Sequence, residues 1–229
     1  MMSKSIQDNW ERIQERVVHA CDLTGRKQND VRVVVVSKKQ RPELVAEAVE
    51  CGIRCFGENK VPEAAAKIPL CPDDLEWHLV GHLQSNKTRA AVKLFDMIHS
   101  IYSTRLLEKV NSMSAEVGRT MPVLLQVNVS GETSKSGLAP KDVPAVLDAS
   151  AHCMNVDLVG LMTIPPFTPD PADAGPVYAR LREWRDVWRD EYGIPLEELS
   201  MGMSHDFEIA IQEGATRIRV GTALFGERC

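Results

Sequence analysis

Short apolar runs and helical stretches alternate along this chain with a regularity that few folds permit. Each run rich in β-branched or apolar residues is followed by a segment whose apolar residues recur at helical spacing. A first helix carries Ile6, Trp10, Ile13, Val17 and Cys21 on one stripe. The predicted strands are then 31–36, 53–56, 76–80, 95–98, 121–129, 156–162, 196–199 and 217–220. Clear helices follow all but the last strand, which leads into a short stub from Thr222. Pro42 opens one helix and Gly52 closes it, while Ser103 and Ser204 stand where N-caps belong. Strict alternation implies a parallel sheet. Eight units in 229 residues fit a closed barrel better than an open sheet, because no strand is followed by a GxGxxG turn. The expected fold is α/β: a single (β/α)8 TIM barrel domain over 1–229, with an extra N-terminal helix over about 3–22.

With 44% hydrophobic and 26% charged residues, the chain can build one large core. A net charge of −5 speaks against a general nucleic-acid binder. No apolar stretch approaches the roughly 20 residues that span a bilayer. Residues 1–14 are polar and amphipathic rather than signal-like, so a cytoplasmic protein is expected. Cys51 and Cys55 are close in sequence, but no second pair completes a metal set, and the six cysteines read as free thiols.

One lysine marks the chemistry. The valine run 33–36 reads as a buried parallel strand, and it ends in Ser37-Lys38. A lysine there points at the face where barrels keep their sites. Lysine is also the residue that forms Schiff bases with carbonyls, pyridoxal phosphate included. The residues after the other strands are candidates for the same mouth: Gly57, Glu58 and Asn59, then His82, Asn128 and Ser130, then Thr163, Ser200, Ser204, Arg219, Gly221 and Thr222. They contain neither a carboxylate pair suited to glycoside chemistry nor a His/Asp metal cluster. Two segments could hold a phosphate. Residues 200–204 lead into a helix N-terminus, and Gly221-Thr222 follows the last strand, where backbone amides can approach an anion. Arg219 faces the barrel interior and needs a partner. That partner is either a mouth carboxylate such as Glu58 or the ring nitrogen of pyridoxal phosphate, which an arginine would leave unprotonated.

Several segments appear in order: Val36-Ser37-Lys38, Phe56-Gly57-Glu58-Asn59, Trp77 through Lys87, Ser134 through Gly137, Gly160-Leu161-Met162, Leu199 through Ser204, and Arg219 through Gly226. Together they resemble the pyridoxal phosphate homeostasis protein family, across nearly the whole chain. The resemblance implies a barrel like the N-terminal domain of alanine racemase, with pyridoxal 5′-phosphate as cofactor. It implies Lys38 as the internal aldimine lysine and Arg219 beside the pyridine nitrogen. Ser204, Gly221 and Thr222, with Ser200, would hold the phosphate, and Asn59 would lie near the ring. The chain departs from the family at Lys38-Lys39-Gln40-Arg41-Pro42, where a Lys-Thr-Lys-Pro run is usual, and at Lys60, where tyrosine is usual. Lys39 is the alternate amine should the strand register slip by one.

The expected function is to carry or buffer pyridoxal phosphate in vitamin B6 homeostasis. Its partners would be the cofactor and apo enzymes that receive it, with no nucleic acid or membrane, from a monomer without catalytic residues. The alternative is an amino-acid racemase of the same fold type. That reaction needs two opposed acid/base groups, and Tyr102, Tyr178 and Tyr192 all fall away from predicted strand ends. His78 reads as an interior hydrogen-bonded histidine. The loop 130–137 reads as solvated, or as a lid whose Lys135 takes a second pyridoxal phosphate.

Overall fold

Parallel strands in the order β1 to β8 close into a barrel, β8 pairing back onto β1. The computed structural model describes residues 5–132 and 136–226; Lys135 and its neighbours Thr133 and Ser134 lie outside them. The strands are β1 (Arg32–Val36), β2 (Cys55–Glu58), β3 (Glu76–Leu79), β4 (Met97–Ile101), β5 (Met121–Gln126), β6 (Val156–Met162), β7 (Glu198–Met203) and β8 (Arg217–Val220). The helices are α1 (Ile6–Asp22), α2 (Pro42–Glu50), α3 (Val61–Lys67), α4 (Thr88–Leu94), α5 (Thr104–Val117), α6 (Val143–Ser150), α7 (Gly175–Tyr192), α8 (Phe207–Gln212) and α9 (Thr222–Phe225). Among the described residues no helix is long and apolar enough to cross a membrane.

The predicted alternation is the observed one, with three strands displaced. β2, β4 and β7 run further toward their C-termini than apolar periodicity indicates. The cause is the same in each: the strand continues through polar or glycine residues that the barrel buries, namely Gly57-Glu58, His99-Ser100 and Ser200 with Gly202.

Two kinds of core result. The main one lies between strands and helices, where outward residues such as Val35, Phe56, Ile218 and Val220 meet the helices. Inside the barrel are two small apolar clusters, Val34 with Cys55 and Val80, and Met97 with Leu124 and Met162. The rest of the interior is polar: His78, His99, Ser200, Arg217 and Arg219 all point inward and are buried.

The N-terminal helix completes the outer ring. Ser5 and Asp8 cap it reciprocally, each side chain accepting from the other's backbone N–H. It packs on α8, α9 and α2, burying Ile13, Val17, Ala20 and Cys21. Arg16 lies 4.3 Å over the Phe207 ring and pairs with Glu208 at 2.5 Å, and Asn9 Nδ2 donates to the Leu224 carbonyl at 2.7 Å. The last barrel helix, α9, has only four residues, so α1 covers the apolar surface that a full helix would cover elsewhere. Ile13 is 1% exposed at that seam. Ile13→Ala is expected to cost about 2–5 kcal/mol, as core truncations do, read from the midpoint of urea unfolding.

Candidate functional site

The C-terminal ends of β1, β2, β3, β7 and β8 surround a cavity of about 240 Å³. Lys38, Asn59, Ser204, Arg219, Gly221 and Thr222 all line it, so the structure brings together six of the seven residues singled out from the sequence. Val36, Val80, Ile164 and Met203 supply apolar wall, and His205 lies at the rim. His205 Nε2 donates to the Thr168 carbonyl (3.2 Å) and its ring meets Phe167 at 5.4 Å.

Lys38 is aimed by a braced turn. The Gln40 N–H donates to the Ser37 carbonyl at 2.9 Å, closing the turn 37–40. Within it Lys39 adopts a left-handed conformation (φ 61°), which costs a non-glycine residue about 1–2 kcal/mol. That conformation sends Lys39 to solvent while Lys38 lines the cavity. The Lys39 N–H donates to the Glu63 carboxylate. Beneath the turn Lys67 Nζ donates to the Ser37 carbonyl at 2.7 Å and to Glu58 Oε1 at 2.5 Å, and Ser37 Oγ donates to the same oxygen at 2.7 Å. Lys67 and Glu58 are 5% and 0% exposed, so this ion pair is fully inside the protein. Burial pushes the Glu58 carboxyl above the usual carboxylate range, against the pull of Lys67 and Ser37. Glu58 therefore partners a cation, as its sequence position suggests, but the cation is Lys67 of α3 rather than Arg219.

The anion-binding candidates resolve differently from the sequence expectation. Ser204 does not cap α8. Asp206 occupies the N-cap position, its Oδ1 accepting from the Met203 N–H at 2.7 Å. The Ser204 hydroxyl oxygen accepts instead from the backbone N–H groups of Gly221 (3.1 Å) and Ala223 (3.2 Å). Donors from the β8 loop and a hydroxyl from the β7 loop thus converge at one wall of the cavity. The arrangement requires close backbone approaches. Gly202 has φ +90°, and a Cβ there would lie 2.5 Å from Ala210 Cβ. A Cβ on Gly81 would lie 2.2 Å from the Asn59 carbonyl oxygen, so that glycine lets Asn59 reach the mouth.

Ser200 stands apart from this wall. Because β7 continues to Met203, Ser200 is an interior strand residue rather than part of a loop. Its hydroxyl accepts from Arg219 NH1 at 2.7 Å and lies 2.9 Å from His99 Nδ1. Arg219 NH2 donates to the Thr163 carbonyl at 2.8 Å. Burial pulls the Arg219 guanidinium below its usual range, opposed by Tyr178 and Asp206; it stays charged at neutral pH. His99 Nε2 lies 3.0 Å from His78 Nδ1, and His78 Nε2 lies 2.6 Å from Glu76 Oε1. Burial holds both imidazoles below their usual range, His99 furthest, and Glu76 on His78 offsets only part of this. The bond to His78 in turn lowers the Glu76 carboxyl. Cys55, Glu76 and His78 bring ligand atoms within 4.8 Å of one another. Arg32 on Glu76 (2.6 Å) and the nearby Arg217 place fixed positive charge beside them, which opposes a dication. Burial raises the Cys55 thiol to about 12, so it is a protonated, inert thiol.

The sequence reading did not find His99 or Lys67. A polar residue alternating with apolar ones in Met97-Ile98-His99-Ser100-Ile101 was the available signal for His99. His82, a mouth candidate, instead stacks on Tyr102 with ring centroids 4.5 Å apart.

Fold and site together define a (β/α)8-barrel protein whose mouth gathers an amine, a guanidinium and the Gly221-Thr222 turn around one cavity. The family model of the alanine racemase N-terminal domain matches residues 3–229. A pyridoxal phosphate homeostasis protein of Aquifex aeolicus (strain VF5) is 41% identical over 222 residues, covering 96% of this chain and 97% of that protein. The structure of PipY from Synechococcus elongatus PCC7942 with PLP bound superposes with a TM-score of 0.82 at 39% identity, covering 93% of this chain and 100% of that one. Alanine racemase of Clostridium difficile 630 shares the fold at 14% identity (TM-score 0.78), covering 96% of this chain and 57% of that one. The chain belongs to the pyridoxal phosphate homeostasis protein family.

Lys67→Met strands Glu58 inside the protein and is expected to cost about 3 kcal/mol or more, measured by urea unfolding. Acid should also destabilise the fold. Below the ordinary imidazole value of 6.5 the unfolded chain takes up protons on His78 and His99 that the folded chain refuses. Stability therefore falls with pH from that point, by up to about 1.4 kcal/mol per pH unit for each histidine. Glu76 acts with the same sign at lower pH, because its folded carboxyl is depressed. Unfolding midpoints at pH 7.5 and 5.5 should differ less in His99→Leu than in the wild type.

Proposed function

We propose that this chain holds pyridoxal 5′-phosphate at the barrel mouth, with Lys38 as its covalent anchor, and carries or buffers it without turning over a substrate. The observation that carries this reading is that Lys38, Arg219 and the donor set of Ser204, Gly221 and Ala223 line or border a single cavity. Bound there, the cofactor supplies an aldehyde that condenses reversibly with a primary amine, releasing water. Lys38 is that amine. The Ser204 hydroxyl, whose oxygen the Gly221 and Ala223 N–H groups hold so that its own proton is left to donate, suits a phosphate dianion together with the Thr222 hydroxyl. Arg219 keeps its own proton and so keeps a facing ring nitrogen unprotonated, which weakens the ring as an electron sink. Asn59 lies at the same wall as Lys38 and can orient the ring.

The site's composition supports carriage over racemization. Among the described residues that line the cavity there is no tyrosine. Tyr178 is fully buried, with its phenol pushed far up by burial, and Tyr102 stacks on His82. Lys38 is only half-buried, as a cofactor that must leave again requires. Recipients would be apo enzymes that use the same cofactor, served by a monomer in the cytoplasm.

The test is the visible spectrum of the full chain mixed with pyridoxal phosphate. A band near ~420 nm that borohydride fixes is expected in wild type and Lys39→Ala, and is expected to be absent in Lys38→Ala. Ser204→Ala should keep the band but retain the cofactor about tenfold less well, having lost a hydrogen bond to a charged group. No band in wild type, or an equal band in Lys38→Ala, would overturn the assignment.

A further inference from the structure

A line of polar side chains crosses the barrel interior from the mouth to the opposite end. Arg219 on β8 donates to Ser200 on β7, which meets His99 on β4; His99 meets His78 on β3, and His78 meets Glu76 at the start of that strand. The successive distances are 2.7, 2.9, 3.0 and 2.6 Å. Arg219, Ser200, His99 and His78 are all buried, so no solvent competes for their bonds.

With both rings neutral, the two ends decide the direction of every bond between them. A guanidinium only donates and a carboxylate only accepts. Glu76 Oε1 therefore takes the proton of His78 Nε2, which leaves His78 Nδ1 as an acceptor. His99 must then donate from Nε2, leaving its Nδ1 to accept the Ser200 hydroxyl proton. Ser200 oxygen is thereby turned toward Arg219 and accepts from it. The reverse order fails at Glu76, where two acceptors would face each other. Burial and the positive charges of Arg217 and Arg219 nearby keep both imidazoles neutral, and in this order each carries its proton on Nε2. The far end is itself secured: Arg32 NH2 donates to Glu76 Oε2 at 2.6 Å. Cys55 Sγ, 3.8 Å from His78 Nε2, is too distant to compete with Glu76 for the proton.

We infer that Glu76 is a positioning residue for a site it does not touch. Through His78, His99 and Ser200 it fixes the acceptor that holds one arm of Arg219, while the Thr163 carbonyl holds another. Arg219 is then held in one orientation at the cavity it lines. The consequence for the cofactor rests on the pyridoxal phosphate reading of that cavity; the order of protons does not.

The test has two arms on the full chain. In the cofactor-free protein, nitrogen-15 NMR of labelled histidines is expected to show His78 and His99 neutral, with the proton on Nε2. In Glu76→Gln the single amide oxygen stays with Arg32 and the NH2 faces His78. Both rings should then convert to the Nδ1–H form, and Glu76→Asp should restore Nε2–H. In the loaded protein, Glu76→Gln should shift the visible absorption maximum and weaken cofactor retention several-fold, because Ser200 Oγ then accepts from both His99 and Arg219 and holds the guanidinium less firmly, while Glu76→Asp restores both. Wild-type rings that are charged or carry Nδ1–H would overturn the inference. So would a Glu76→Gln variant that loses stability with unchanged tautomers and spectrum. A wild type with the expected tautomers but no visible band would instead remove the cofactor reading and leave the proton order standing.

Discussion

The pairing of β8 with β1 is the constraint on which the mouth depends. Val34 pairs with Arg219 and Val35 with Val220, so the two ends of the described barrel are locked in register. That register sets the turn after β1, which carries Lys38, beside the turn after β8, which carries Gly221 and Thr222. No local feature of either segment brings them together, since Lys38 and Gly221 lie 183 positions apart in the chain. Closure also removes both sheet edges and turns the inward residues of all strands toward one another.

Closure makes the polar interior tenable. A charged side chain inside a protein is costly unless partners satisfy it. This barrel meets the requirement by different means. Glu58 and Lys67 neutralise each other directly beneath the Ser37–Gln40 turn and tie it to α3. Arg219 is satisfied by uncharged oxygens, Ser200 Oγ and the Thr163 carbonyl, with the Asp206 carboxylate acting on it without a hydrogen bond among the described residues. The first arrangement aims an amine. The second leaves a guanidinium available to the cavity. The strained backbone at Lys39 belongs to the same design: its N–H is held by Glu63, which also lies 3.4 Å from Lys67.

How far the sequence could be read follows from where its polar residues lie. The strand of valines announced itself, and so did the lysine that ends it, because lysine after a buried run is conspicuous. Arg219 was equally legible, set between Ile218 and Val220. His99, Lys67 and the true ends of β2, β4 and β7 were not. Periodicity treats a polar residue as the edge of a strand, whereas a barrel buries polar residues in mid-strand when others across the lumen satisfy them. Ser200 illustrates this: read as a loop residue it suits a phosphate, while as an interior strand residue it lies under Arg219. Ser204 shows the complementary limit. Serine before a helix suggests a cap, but Asp206 is better placed and Ser204 is free to meet the loop after β8.

The sequence by itself determined the architecture and most of the residues that gather at the mouth. Alternating strand and helix patterns leave few ways to bury their apolar faces, and a strand-end lysine with a late glycine-threonine turn leaves few uses for the mouth. Only the tertiary structure decided which partners those residues have. Glu58 goes to Lys67, Ser204 to the Gly221 and Ala223 amides, and Arg219 through Ser200 and two histidines toward Glu76. Hydrogen bonds and ion pairs are short-ranged and directional, so they are settled by which atoms the closed barrel brings within about 3 Å, and sequence spacing carries no record of that distance.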